Sequence, residues 1–261
     1  MRSSVVPTLV AGLLMVPAAA AASPSDLVAR PVVLHRGELV GALTVESAVA
    51  LGRGASSFER FEPRSLAPDV AYGVTDDLTV AVAHSSRALS VVDSGAGLCV
   101  AHACARTYDN FALDARWRVS EGALSAAARV RLVMASFDPW KPQLRLGAVG
   151  RWTRGRWAIV ADPHLALGLI HRDLGNRAFV NVPVWVVVQP TCRWAIHART
   201  GIRETLAVFG DTYAVPLGVG VTAAATRHID VAVEAGYARL IGALPEARTI
   251  HTWLSVVVRW P

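Results

Sequence analysis

Apolar residues alternate one by one with polar or small residues along most of this chain, and this period of two constrains it to form strands. Residues 67–85, APDVAYGVTDDLTVAVAHS, contain two such runs separated by TDD. Each run places its apolar residues on one face of a pleat: Val70, Tyr72 and Val74, then Leu78, Val80 and Val82. Alternation on both sides of a three-residue turn predicts a β-hairpin.

The same alternation continues to the C-terminus and predicts twelve strands. They lie near residues 39–51, 67–74, 78–86, 108–119, 123–136, 143–153, 156–169, 179–189, 192–202, 212–225, 229–240 and 249–260. Connections after the even-numbered strands are short, such as TDD and SEG, whereas those after the odd-numbered strands are long. Short turns at one rim and long loops at the other are typical of an outer-membrane β-barrel, whose short turns face the periplasm.

Aromatic residues fall near the short-turn ends of the predicted strands, on the more apolar faces. The set is Tyr72, Trp117, Trp152, Trp157, Trp194 and Trp260. Indole and phenol rings favour the boundary between hydrocarbon and headgroups, so we interpret this set as an aromatic girdle. The alternative is a soluble secreted β-sandwich whose core tryptophans fall near strand ends.

The first 22 residues have the layout of a secretory signal peptide. Arg2 precedes an uncharged apolar run and small residues, and we expect cleavage near Ala20 to Ala22. The apolar run is shorter than the ~20 residues that a spanning helix needs. Contact with lipid without helices requires a closed barrel, because an open sheet edge leaves backbone groups unpaired in hydrocarbon. Residues 23–261 are therefore predicted to form one barrel domain.

The predicted fold class is all-β: a closed antiparallel transmembrane β-barrel of about twelve strands, within a range of about ten to fourteen, in up-and-down order. Both termini are expected in the periplasm. The hairpin, the girdle and the C-terminal TWLSVVVRW resemble Gram-negative outer-membrane β-barrel proteins. The segment AYGVTDDLTVAV in particular is similar to outer-membrane transporters linked to phenol degradation. This resemblance implies the outer-membrane bilayer and the barrel-assembly machinery as partners. Pro261 departs from the pattern, since such barrels usually end on the aromatic residue.

If the apolar positions face lipid, the alternate positions face the lumen and carry nine arginines and six carboxylates. We expect the lumen to be lined by Arg116, Arg118, Arg129, Arg131, Arg145 and Arg199. In one interpretation the excess of arginine lines a narrow channel or transporter for small polar or anionic solutes. In the other, arginines and carboxylates pair across the lumen and fill it, leaving a sealed barrel with functional extracellular loops.

An enzymatic alternative depends on His84 and Ser86, two residues apart at the outer end of the third predicted strand. Both are in phase with Val80 and Val82 and are expected to face lipid. The pair resembles the His-x-Ser pair of outer-membrane lipid hydrolases, in which the imidazole activates the hydroxyl. Arg87 follows where asparagine is expected, and the sequence identifies no acidic residue that would orient the histidine.

The cysteines suggest a loop disulfide. Cys99 and Cys104 lie close together in an exported chain and are candidates for a bond, while Cys192 is left over; three thiols are the alternative. Their spacing matches no metal site, and we expect no metal and no cofactor. The net charge of +6 does not require nucleic acid, because the basic residues lie singly at alternate positions. We therefore predict a channel that is not an enzyme.

Overall fold

The computed structural model describes residues 26–51, 63–86, 98–100, 108, 110–242 and 248–261, so the predicted leader and Cys104 lie outside the described residues. The strands are β1 (Leu39–Leu51), β2 (Pro63–Thr75), β3 (Leu78–Ala83), β4 (Leu98–Cys99), β5 (Phe111–Ser120), β6 (Leu124–Phe137), β7 (Trp140–Arg154), β8 (Trp157–Ala161), β9 (His164–Gly168), β10 (Phe179–Thr191), β11 (Trp194–Thr205), β12 (Ala214–Ala224), β13 (Ile229–Gly242) and β14 (Arg248–Trp260). A 3-10 turn, Leu206–Val208, follows β11. Within these ranges, no helix has the length and apolar character needed to cross a membrane.

Antiparallel pairing closes the sheet into a barrel. β1 pairs with β14 over its full length, with Leu39 opposite Trp260, and with β2 on its other side. β8 and β9 occupy one position between β7 and β10. The two-residue β4 pairs with the long-loop end of β2, at Ser65 and Leu66. The described residues therefore form a ring of twelve wall strands, which confirms the predicted closed up-and-down barrel.

The alternation sorts the side chains between the two faces of the wall. On β6, Arg129, Arg131 and Val133 are buried inside, whereas Val130 and Leu132 between them are exposed on the outer face. The same division recurs around the ring, so the outer face is a belt of exposed aliphatic residues. A shift of one residue in any strand would reverse the two faces, and the register is strongly specified.

The six predicted girdle aromatics all lie exposed near the short-turn rim; Trp117 is 59% exposed and Trp157 is 52% exposed. A second exposed set lies near the long-loop end: Tyr108, Phe137, Trp140 and Phe209. Trp253 differs from all of these, since it lies inside the barrel and is only 2% exposed. The outer aromatics follow the two-belt pattern of membrane barrels.

The prediction of one continuous strand over residues 156–169 was wrong, because the chain breaks at Asp162 and Pro163 and forms β8 and β9 instead. Pro163 has no N–H for the ladder. Its carbonyl accepts from the Ala148 N–H at 3.1 Å, and the Asp162 N–H donates to the Pro183 carbonyl at 3.1 Å. The break turns the Asp162 side chain into the barrel, where it is buried.

The third strand also ends earlier than predicted, at Ala83. Asp69 of β2 accepts the N–H groups of His84 and Ser85 at 2.6 and 3.0 Å, and the Ser85 hydroxyl at 2.5 Å. These bonds replace the next ladder positions and turn the chain inward, so Ser85 and Ser86 are buried. A side chain on a neighbouring strand thus ends β3.

We predict that Val130→Arg destabilises the barrel by about 2–4 kcal/mol, since it places a cation on the lipid face near the middle of β6. Val130 is 47% exposed there. Urea unfolding in lipid vesicles measures the change, with Val130→Ile as the control that keeps the surface apolar. An arginine variant as stable as the parent would contradict the lipid-facing assignment.

Candidate functional site

An arginine-aspartate cluster occupies one side of the lumen, on β5, β6 and the break before β9. Arg129 holds Asp114 with two hydrogen bonds, at 2.8 and 2.7 Å, and donates to Asp162 at 2.7 Å. Arg131 donates to the same Asp162 oxygen, and Arg116 donates to Asp114 at 3.0 Å. Both carboxylates are buried. Paired charges of this kind are held by charge-assisted hydrogen bonds.

Gly147 of β7 allows this cluster to cross a strand. Its register partners are Arg129 on one side and His164 on the other. A Cβ at this position would lie 2.1 Å from the Pro163 carbonyl oxygen and 2.8 Å from the His164 Cα. Only glycine leaves room for the inward break to fold over β7, which is how Asp162 reaches the guanidinium groups of β6.

A second network lies on the opposite side, in a lateral row across β11, β12 and β13. His197 Nε2 is 2.9 Å from one oxygen of Glu234, and Arg199 Nε is 3.0 Å from the other. The residue between them on β12 is Gly220, where a Cβ would lie 2.5 Å from the His197 ring. As at Gly147, a glycine on the middle strand lets long polar side chains from the strands on either side meet above it.

Trp253 of β14 joins this network to the inward turn after β3. The Arg199 guanidinium lies 4.6 Å from the centroid of the indole ring. The indole N–H donates to the Ser86 hydroxyl at 2.8 Å, and the Ser86 N–H donates to Glu46 at 2.7 Å. Because β3 and β14 are separated by β1 and β2, these bonds tie the inward turn across the inside of the barrel.

A third group lies toward the long-loop end. Arg145 and Arg203 both place their guanidinium carbons over the Phe179 ring, at 5.5 and 4.4 Å from its centroid. Arg145 also donates to the Gln143 amide oxygen at 3.0 Å. The His164 ring meets Phe179 edge-on at 6.3 Å. Cations over an aromatic face are favourable, and here they gather positive charge in the upper lumen.

The structure places the six predicted lumen arginines on the inner side of the wall. Arg129, Arg131, Arg145 and Arg199 are buried, and the Arg116 side chain is 25% exposed. Arg118 lies at the short-turn rim beside Glu121 and Asp77, at 2.5 and 3.6 Å. Sequence reasoning did not single out Trp253, Phe179 or Arg203. Each lies an even number of positions from inward-facing residues of its own strand, and this spacing could have identified it.

The predicted lipid-facing pair His84 and Ser86 is not formed as expected. The Ser86 hydroxyl accepts from Trp253 inside the barrel, because the chain leaves the wall after Ala83. The His84 ring donates from Nδ1 to the Pro68 carbonyl, and its Nε2 lies 2.9 Å from the Tyr108 hydroxyl. Serine on the inner side is separated from the bilayer from which an acyl ester would approach. The geometry does not favour a lipid hydrolase.

The described part of the chain bears on two of the three cysteines. Cys99 is disulfide-bonded, and Cys192 is an exposed thiol in the turn between β10 and β11. Cys104, the predicted partner of Cys99, lies outside the described residues, so the pairing stays a prediction.

Comparison with known proteins concerns the fold. No family model matches the chain, and no curated protein matches its sequence. The barrel is similar to the KdgM porin, solved in complex with disordered oligogalacturonate, at 8% identity and a TM-score of 0.55, covering 84% of this chain and 99% of the porin. It is similar to the NanC porin at 7% identity and a TM-score of 0.57, covering 83% and 98%. The chain has the fold of outer-membrane porins. An outer membrane channel from Pseudomonas putida F1 is similar at 14% identity and a TM-score of 0.52, covering 87% and 97%.

We predict that Gly147→Ala destabilises the barrel by about 1–3 kcal/mol, because the added methyl group displaces the inward break and loosens Asp162 from Arg129 and Arg131. Gly150→Ala on the same strand is the matched control, since its Cβ would meet only the Ser125 carbonyl at 3.9 Å. Urea unfolding in vesicles compares the two. Equal stability of both variants would show that the break tolerates a side chain at 147.

Proposed function

We propose that this protein is an outer-membrane channel for small anionic solutes. One observation carries the proposal: the inner wall from β5 to β9 holds more arginine than carboxylate. Among the described residues, the cluster and the neighbouring Arg145 bring four arginines against two aspartates: Arg116, Arg129, Arg131 and Arg145 against Asp114 and Asp162. Arg118 and Arg151 of the same wall lie nearer the short-turn mouth. The surplus of two positive charges lies inside a low-dielectric wall, where it raises the local concentration of anions.

The chemistry of the surplus favours carboxylates among anions. A guanidinium group offers planar, paired N–H donors that match the two oxygens of a carboxylate. The Asp114 and Asp162 bonds fix the orientation of Arg129 and Arg131 before any solute arrives. Arg116, the most exposed arginine of the cluster, is held to Asp114 in the same way. An entering carboxylate therefore meets an arginine that has already lost much of its side-chain freedom, which lowers the entropic cost of binding.

The similar folds agree with this role. They are porins and a channel, and one is described with an oligogalacturonate, whose sugar units carry carboxylates. A channel role also requires no catalytic residue, in keeping with the inward position of Ser86. The resemblance to outer-membrane transporters linked to phenol degradation stays a prediction.

The same proposal includes the route of the protein to its membrane. The leader at residues 1–22 directs export, and the barrel-assembly machinery inserts residues 23–261 into the outer membrane. The belt of exposed aliphatic and aromatic residues around the described wall supports a location in lipid.

A sealed barrel is the second candidate. Arg131, Arg199 and Glu234 are almost completely buried, and their ion pairs cross strands inside the lumen. Such crosslinks fill space that a wide pore would leave to water. This alternative predicts that the purified barrel gives no current, and its function would then lie in the long loops.

We predict that the channel selects anions and that Arg116→Gln lowers its preference for chloride over potassium by about two-fold, because it removes one of the two surplus charges. Arg116 is suited to the test because part of its side chain is exposed. The measurement is the reversal potential across a planar bilayer in a salt gradient. Arg227→Gln, in an exposed turn, is the control. Cation preference in the parent would overturn the proposal.

A further inference from the structure

The chain before β1 lies inside the short-turn mouth of the barrel. Five apolar side chains there are buried, with Val33 only 1% exposed: Leu27, Val28, Val32, Val33 and Leu34. Val32 and Val33 form an apolar cluster with Ala127 of β6 and Val149 of β7. Apolar side chains packed against the inner wall exclude water from the place where a solute would leave the lumen.

Polar bonds hold the same segment to the wall. Arg30 forms a two-pronged pair with Asp230 of β13, with both contacts at 2.7 Å. Gln189 of β10 accepts the Leu27 and Val28 N–H groups at 2.8 and 3.2 Å. The Leu34 N–H donates to the Thr79 hydroxyl of β3 at 2.7 Å, and Arg151 of β7 donates to the Val28 carbonyl at 3.1 Å.

These contacts lie on opposite walls. In the ring of twelve, β6 and β13 are six positions apart, and so are β2 and β10. The segment touches β10 at Leu27, β13 at Arg30, β6 at Val33 and β2 at Gly37, whose N–H donates to the Gly73 carbonyl at 2.8 Å. It therefore crosses the mouth instead of following one side of it.

The mouth is built to receive this segment. A Cβ on Gly73 would lie 1.9 Å from the His35 carbonyl oxygen, so a larger residue there would displace the chain. Asp230 also contacts Arg259 of β14, at 3.5 Å. When Arg30 leaves, this carboxylate keeps a cationic partner, and opening the mouth does not strand a buried charge. The ion pair between Arg30 and Asp230 can therefore separate and form again.

We propose that residues 26–36 are a resident plug that closes the periplasmic mouth and must move aside before solutes pass. This inference rests on the proposed channel function. The segment belongs to no ladder of the barrel wall, so it can open locally while the twelve strands stay paired. Both the plug and its release are built from residues of this chain.

The first experiment locks the plug. Val33→Cys and Val149→Cys are combined in a Cys192→Ser background, because Val33 and Val149 share one cluster and Cys192 is an exposed thiol. We expect planar-bilayer current to be lost on oxidation and to return on reduction. The single Val33→Cys variant in the same background is the control. It is treated with the same oxidant and reductant, so it reports any effect of these reagents on the disulfide of Cys99. Equal currents in the oxidised and reduced pair would overturn the plug.

The second experiment separates the plug from the channel. Residues 27–34 are replaced by a Gly–Ser sequence of the same length, which we expect to raise the current several-fold. In parallel, a membrane-impermeant maleimide is applied to single Val33→Cys in the same background, and slow labelling is expected because the side chain is buried. Fast labelling would overturn the plug itself. Slow labelling with no current in the replaced chain would overturn the channel, and with it any gating by this segment.

Discussion

Backbone hydrogen bonding in hydrocarbon is the constraint on which this structure depends. No water is present there to satisfy an open strand, so the sheet must close, and β1 meets β14 along its whole length. Closure leaves each side chain only two directions, toward lipid or toward the lumen. The period of two then sends Val130 and Leu132 outward and Arg129 and Arg131 inward. The charges are concentrated in one small compartment as a direct result.

Concentrated charge must be neutralised, and in this barrel glycine makes that possible. Ionic side chains on adjacent strands are often alike: Arg116 lies directly opposite Arg129. Asp114 pairs with Arg129 from the adjacent strand, whereas Asp162 and Glu234 sit further along the ring, so the side chains that meet them must reach over an intervening strand. Gly147 and Gly220 provide the two crossings, because neither position has room for a Cβ. The two polar networks therefore depend on Gly147 and Gly220, which carry no polar side chain themselves.

This explains which features could be predicted from sequence. Strand faces follow from local alternation, and the predicted strand 39–51 coincides with β1. The inward break at Asp162, the early end of β3 and the position of Ser86 depend on partners far along the chain, such as Asp69 and Gly147. Their local sequence continues the strand pattern, so alternation alone overextended it. Residues 26–38 have no alternation, and nothing local indicates that they lie in the mouth.

The inner networks and the segment in the mouth differ in whether their ion pairs can be exchanged. Asp114 and Asp162 hold their arginines through several bonds each, and breaking one would leave buried charge without its partner. Asp230 instead has Arg259 in reserve beside Arg30. A charged network that cannot rearrange is suited to being a fixed selectivity element, whereas an exchangeable pair at the rim is suited to movement. The proposed channel thus assigns selection to the middle of the barrel and opening to its periplasmic end.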